Sequence, residues 1–125
     1  MTIAILDDNE TVLWTIKAAL EQLGYAPVGF SCPDDLAGYL RNNADVCLMI
    51  CDQLLESTES GWNIARSLRD RFKLNIPVLM VTAYPGSDLV SEINSCGFAS
   101  LLRKPFGLEE LANSVTRCLK PAADR

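Results

Sequence analysis

A chain of 125 residues, 49% hydrophobic and 22% charged, has the size and balance of one globular domain around one core. Its net charge of −5, with no cluster of Lys or Arg, argues against a face that binds a phosphate backbone, so no direct nucleic-acid contact is expected. The first six residues run straight into Asp7 and Asp8 without a signal peptide's basic flank, and no apolar run nears the roughly 20 residues that span a bilayer; a cytoplasmic protein with no membrane partner is expected.

Short apolar runs alternate with amphipathic stretches five times along the chain, the pattern of βαβ units that build a parallel sheet. A strand over residues 3–6 is followed by Val12, Leu13, Ile16, Ala19, Leu20 and Leu23 at helical spacing, with Gly24 as the stop. A weaker strand over 26–30 comes next, and Ser31 and Asp34 offer N-capping side chains to a short helix that buries Leu36 and Leu40. Residues 46–51 are apolar without interruption and end at Asp52, as expected of a central parallel strand covered on both faces.

A polar segment over 53–61 leads to a helix with Ile64, Ala65, Leu68 and Phe72 on one side. Residues 78–81 form the next apolar strand, followed by a turn at 84–86 and a helix from about Ser87 to a stop at Gly97. A fifth strand over 99–102 precedes a last helix marked by Leu108, Leu111, Val115 and Leu119. The expected fold is a doubly wound five-stranded parallel sheet flanked by five helices, with one domain over 1–119 and residues 120–125 as a tail or the start of a linker. Trp14 and Trp62 are read either as partner anchors or as packing between helices.

Five cysteines, Cys32, Cys47, Cys51, Cys96 and Cys118, form no C-x-x-C pair, and the absence of histidine excludes a Cys/His zinc site. Cys47 and Cys51 are expected on one face of the central strand, roughly 13 Å apart and too far for a disulfide. All five are read as reduced thiols of the core.

Ligands of an open parallel sheet bind beyond the carboxyl ends of its strands. The residues expected there are Asp7 and Asp8 after the first strand, Asp52 after the third, Thr82 after the fourth and Lys104 past the fifth. Three carboxylates together repel one another and are tolerated chiefly around a cation; an all-oxygen set suits a hard ion, best Mg²⁺. Lys104 can pair with Asp52 or with a phosphoryl oxygen, and Thr82 can donate its hydroxyl to the same group. A carboxylate that attacks phosphorus forms an acyl phosphate and needs no general base, and a chain without histidine has to receive the group from an external donor.

Asp7-Asp8, Asp52, Thr82-Ala83 and Lys104-Pro105-Phe106, in this order on successive strand ends, resemble the CheY-like receiver domains of two-component response regulators, over residues 2 to about 119. The resemblance implies a flavodoxin-like sheet of order 2-1-3-4-5, Asp52 as phosphoacceptor, Asp7, Asp8, Asp52 and the backbone carbonyl of Leu54 as Mg²⁺ ligands, and Thr82 and Lys104 as switch and phosphate-contact residues. It further implies a cis Lys104-Pro105 bond and self-catalysed phosphoryl transfer rather than turnover as an enzyme. The implied partners are a sensor histidine kinase or phosphotransfer protein and a downstream effector docked on the face of the fourth helix, fifth strand and fifth helix, with a homodimer left open.

Three positions depart from the family pattern. The usual aromatic switch residue is Leu101 here, and the loop after Asp52 carries Glu56 and Ser60 where Pro and Gly are usual, with Gly61 one place later. A haloacid-dehalogenase-type phosphatase would need a second Asp two residues after its nucleophile, where this chain has Asn9 or Leu54. A dinucleotide or flavin module would want a Gly- or Ser/Thr-rich first loop in place of Asp7-Asp8-Asn9-Glu10. The remaining alternative is a degenerate receiver that acts as an interaction module without phosphorylation.

Overall fold

Five strands and five helices alternate strictly: β1 (Thr2–Leu6), α1 (Glu10–Gln22), β2 (Ala26–Phe30), α2 (Pro33–Asn42), β3 (Val46–Asp52), α3 (Gly61–Arg71), β4 (Val78–Thr82), α4 (Ser87–Ser95), β5 (Ala99–Arg103) and α5 (Leu108–Leu119). The structure is a computed structural model and describes residues 1–43, 45–55 and 59–120. Glu56 and most of the expected tail lie outside the described residues. All strand pairs are parallel and the sheet order is β2-β1-β3-β4-β5, as the resemblance implies.

The winding follows from which residues are apolar. Ile16 and Leu20 of α1 and Leu111, Val115 and Cys118 of α5 bury against Ile3, Ile5, Leu48, Ile50 and Leu79 on one face of the sheet. On the other face, Leu36 and Leu40 of α2, Trp62, Ile64 and Leu68 of α3 and Ile93 of α4 cover Ala4, Leu6, Met49 and Met80. β3 and β4 are buried on nearly every residue because helices cover both faces, which accounts for their unbroken apolar runs.

Gly24 has φ +92° directly after α1, where a side chain would be strained, so the expected stop is a left-handed residue past the helix end. The expected caps of α2 are not made. Its N-cap is Cys32, which makes no side-chain cap bond, and Pro33 occupies the first turn, where a missing N–H costs nothing.

The two cysteines of β3 do not share a face. Cys51 lies in the core under α2, α3 and α4, whereas Cys47 packs against the core under α1 and α5. The pairing of β1 with β3 shifts between Thr2↔Val46 and Ile3↔Leu48, so one extra residue of β3 reverses the alternation at Cys47. None of the five cysteines is in a disulfide.

Candidate functional site

β1 and β3 are adjacent in the middle of the sheet, so Asp7, the residue after β1, and Asp52, the last of β3, come together at its carboxyl edge. Asp52 and Thr82 are the final residues of their strands rather than the first of the loops. Carboxylate oxygens of Asp7, Asp8 and Asp52 lie within 4.8 Å of one another. Asp7 is 1% exposed, Asp52 7% and Thr82 1%, so two of the three acids are removed from water.

Asp7 and Asp8 are not spent on capping α1. The N-cap is Asn9, whose side chain accepts from the Val12 N–H at 3.1 Å. The Asn9 N–H in turn donates to Oδ1 of Asp7 at 2.9 Å and fixes that carboxylate, leaving Oδ2 facing Lys104.

Lys104 Nζ is 3.4 Å from Asp7 Oδ2 and 3.4 Å from Asp52 Oδ1, so one ammonium bridges both buried acids. Its backbone N–H donates to the Thr82 carbonyl at 2.8 Å, which ties the end of β5 to the end of β4. The Lys104-Pro105 bond is cis, as expected. Thr82 follows Val81, the register partner of Asp52, and its hydroxyl accepts from the Tyr84 N–H at 3.4 Å.

Burial holds the Asp52 carboxyl above its ordinary pKa, and the neighbouring Asp7 adds to the rise; Lys104 and the Leu54 backbone N–H oppose it. Leu54 contributes backbone here, since its side chain points out and is exposed. Burial also pushes the Cys51 thiol upward, so it stays protonated beside the acids.

Lys104→Met is expected to leave Asp7 and Asp52 facing each other without that cation. Lys104 is partly exposed, so the loss in a Mg²⁺-free buffer falls between surface and fully buried pairs, about 2 kcal/mol. Urea denaturation with and without Mg²⁺ checks this: a divalent ion should return most of the loss, and equal losses under both conditions would show that the ammonium does not offset acid repulsion.

Leu101 is half-buried opposite Met80 and packs against the core under α2, α3 and α4, in the sheet rather than at the acidic cluster. Trp14 is exposed on α1, whereas Trp62 is 3% exposed. The Trp62 ring stacks on Phe98 at 6.0 Å, and its indole N–H donates to Glu92 of α4 at 2.6 Å. Beside the acids an open cleft of about 640 Å³ is lined by Val12, Ile16, Ala83, Tyr84, Pro105 and Phe106 among others.

Sequence reasoning missed Asn9, Gln53 and the steric role of Gly61. Asn9 precedes an amphipathic stretch and was readable as a cap. Gln53 had no signal, because its partners are set by where the loop returns.

The fold and site together define a doubly wound parallel α/β domain that carries an acidic cluster bridged by a lysine at the carboxyl edge of its sheet. The chain belongs to the response regulator receiver domain family, whose sequence profile matches residues 3–116. It is 29% identical to the phosphate regulon transcriptional regulatory protein PhoB of Pseudomonas aeruginosa over 95% of the chain and 52% of that protein. It is 24% identical to the transcriptional regulatory protein RprY of Bacteroides fragilis, over 96% of the chain and 50% of that protein. The chain thus spans about half the length of these curated relatives. Among solved structures, the chemotaxis protein CheY4 of Vibrio cholerae superposes with a TM-score of 0.83 at 20% identity, over 94% of this chain and 98% of that one. A response regulator receiver protein of Sinorhizobium medicae gives 0.83 at 22%, over 98% and 96%.

Proposed function

We propose that this receiver domain accepts a phosphoryl group on Asp52 from a sensor histidine kinase or phosphotransfer protein in a Mg²⁺-dependent reaction, and that the modified domain switches partner binding. The observation that carries the reading is the buried Asp52 carboxylate within 4.8 Å of Asp7 and Asp8 and 3.4 Å from the Lys104 ammonium.

The donor set fits the ion. Its side chains offer carboxylate oxygens only, two of them on buried residues, and a hard divalent cation is what such a cluster prefers over a thiol- or imidazole-loving metal. Asp7, Asp8, Asp52 and the Leu54 carbonyl are the residues that would hold it. Bound Mg²⁺ supplies charge neutralisation for the incoming phosphoryl oxygens.

In the transfer an Asp52 carboxylate oxygen forms the new bond to phosphorus while the bond to the donor atom breaks, the leaving group keeping the electron pair. Lys104, already beside Asp52 Oδ1, moves its interaction to a phosphoryl oxygen, and the Thr82 hydroxyl, now accepting from Tyr84, donates to another. The cis Lys104-Pro105 peptide carries the chain from this contact into α5. The domain promotes its own modification and slow loss of the group, and does not act on a released substrate.

The cleft between α1 and the loops around Tyr84 and Pro105 lies next to the acids and suits a donor side chain approaching Asp52. The effector face is formed by α4, β5 and α5, with Leu101 in β5 where an aromatic switch would stand, so repacking of an aliphatic residue replaces ring rotation. The effector is a domain or protein beyond this chain, contact with nucleic acid is left to it, and self-association into a homodimer is compatible with the same face. No helix among the described residues is long and apolar enough to cross a membrane, in keeping with a role in the cytoplasm.

The test is intact mass after incubation with Mg²⁺ and acetyl phosphate. The expected result is a gain of one phosphoryl group that EDTA prevents. No gain with Mg²⁺ present would remove the phosphoacceptor reading and leave an interaction module that works without phosphorylation.

A further inference from the structure

Gln53 stands between the proposed phosphoacceptor Asp52 and the proposed carbonyl ligand Leu54, and three of its polar groups are bonded. Its N–H donates to the Val81 carbonyl of β4 at 3.0 Å. Its carbonyl accepts from the Gly61 N–H at 3.0 Å, and its side-chain Oε1 accepts from the Trp62 N–H at 2.8 Å. Gly61 and Trp62 open α3, so these are two of the helix's first amides, which have no partner within the helix. The Ser60 hydroxyl takes the Asn63 N–H at 3.2 Å.

The residue that leaves the sheet is therefore tied to the residues where the chain returns. The returning end is itself held: Trp62 is buried, stacked on Phe98 and bonded to Glu92.

We propose that Gln53 is a positioning residue for phosphoryl transfer: by closing the base of the β3–α3 loop onto the start of α3, it fixes the backbone that aims the Asp52 carboxylate and the Leu54 carbonyl at one point. This inference rests on the functional reading above. Gln53 touches neither the phosphoryl group nor the ion and acts through its two neighbours.

The experiment compares wild type, Gln53→Leu and Gln53→Glu, the last keeping an acceptor oxygen at the same reach. Three quantities are measured: exchange of the Trp62 amide by NMR, the Mg²⁺ dissociation constant from tryptophan fluorescence, and the rate of phosphorylation by acetyl phosphate. Gln53→Leu should lose Trp62 protection, weaken Mg²⁺ and slow phosphorylation, each of the last two by about tenfold, the scale of one lost hydrogen bond. Gln53→Glu should restore protection and rate.

A Gln53→Leu protein that melts lower but keeps Mg²⁺ affinity and rate within about twofold would show a purely structural role and overturn the proposal. If Gln53→Leu does not fold, Gln53→Met, which keeps the length of the side chain, takes its place. A wild type that binds Mg²⁺ yet takes no phosphoryl group defeats the functional reading alone, and the two dissociation constants still decide the positioning role. A wild type that does neither overturns both.

Discussion

Asp52→Asn is expected to take no phosphoryl group from acetyl phosphate and, in EDTA at neutral pH, to melt at a higher temperature than the wild type. The first effect follows from the chemistry, because an amide is not an ionised nucleophile and Asp7 and Asp8 do not occupy its place at the end of β3. The second follows from linkage. Burial and Asp7 hold the Asp52 carboxyl above its ordinary pKa in the folded chain, so between the unfolded and folded values the native state binds more protons than the unfolded one. Wild-type stability therefore falls as pH rises through that window, and above it the folded protein bears the full cost of an ionised, buried acid.

The amide introduced by Asp52→Asn is neutral throughout, so the variant lacks this slope. The two melting curves should converge as pH is lowered into the acid range, where Asp52 takes up its proton. Adding Mg²⁺ should narrow or reverse the neutral-pH gap, since ligand that binds only the native state stabilises it by mass action and the wild type binds it better. Thermal melts at several pH values, with EDTA or Mg²⁺, check both signs. A variant less stable than wild type in EDTA at neutral pH would mean that the Lys104 bridge outweighs the burial of the charge.

Gly61→Ala is expected to cost about 3 kcal/mol and to lower the melting point by roughly 10 °C. A Cβ at Gly61 would run into the Asp52 carbonyl oxygen and come within 2.9 Å of the Gln53 Cα. These are backbone atoms of a strand end that is paired with β4, so no side chain can rotate away. Either α3 backs off, losing the Gly61–Gln53 bond, or Asp52 is displaced from Asp7 and Lys104. The loss of stability should thus come with weaker Mg²⁺ binding.

Gly38→Ala is the internal comparison. Gly38 lies inside α2 and an added methyl meets nothing within 4 Å, so the same substitution should stabilise by about 0.5–1 kcal/mol through helix propensity. Urea denaturation of the pair gives opposite signs if close approach at Gly61 is the cause. A Gly61→Ala protein as stable as wild type would show that the loop base yields easily, contrary to a fixed Asp52.

The sequence by itself determined what depends on local period and order. Five apolar runs separated by amphipathic stretches specified the alternating elements, with the unbroken runs marking β3 and β4 as strands covered on both faces. Reading which residues end each strand then placed Asp7, Asp8, Asp52, Thr82 and Lys104 near one edge, because a parallel sheet puts all strand ends on the same side.

What only the tertiary structure decided are relations between segments far apart in the chain. The face taken by Cys47 depends on a register shift against β1, which strand alternation alone cannot show. The bridging of two acids by one ammonium depends on Lys104 reaching across from the end of β5. The roles of Gln53 and Gly61 depend on the path by which a polar loop returns to start α3 beside Asp52. Apolar period is set by neighbours a few residues apart, so it is written along the chain. Hydrogen bonds and close approaches are set by distance in space, and they exist only once the sheet has brought the strand ends together.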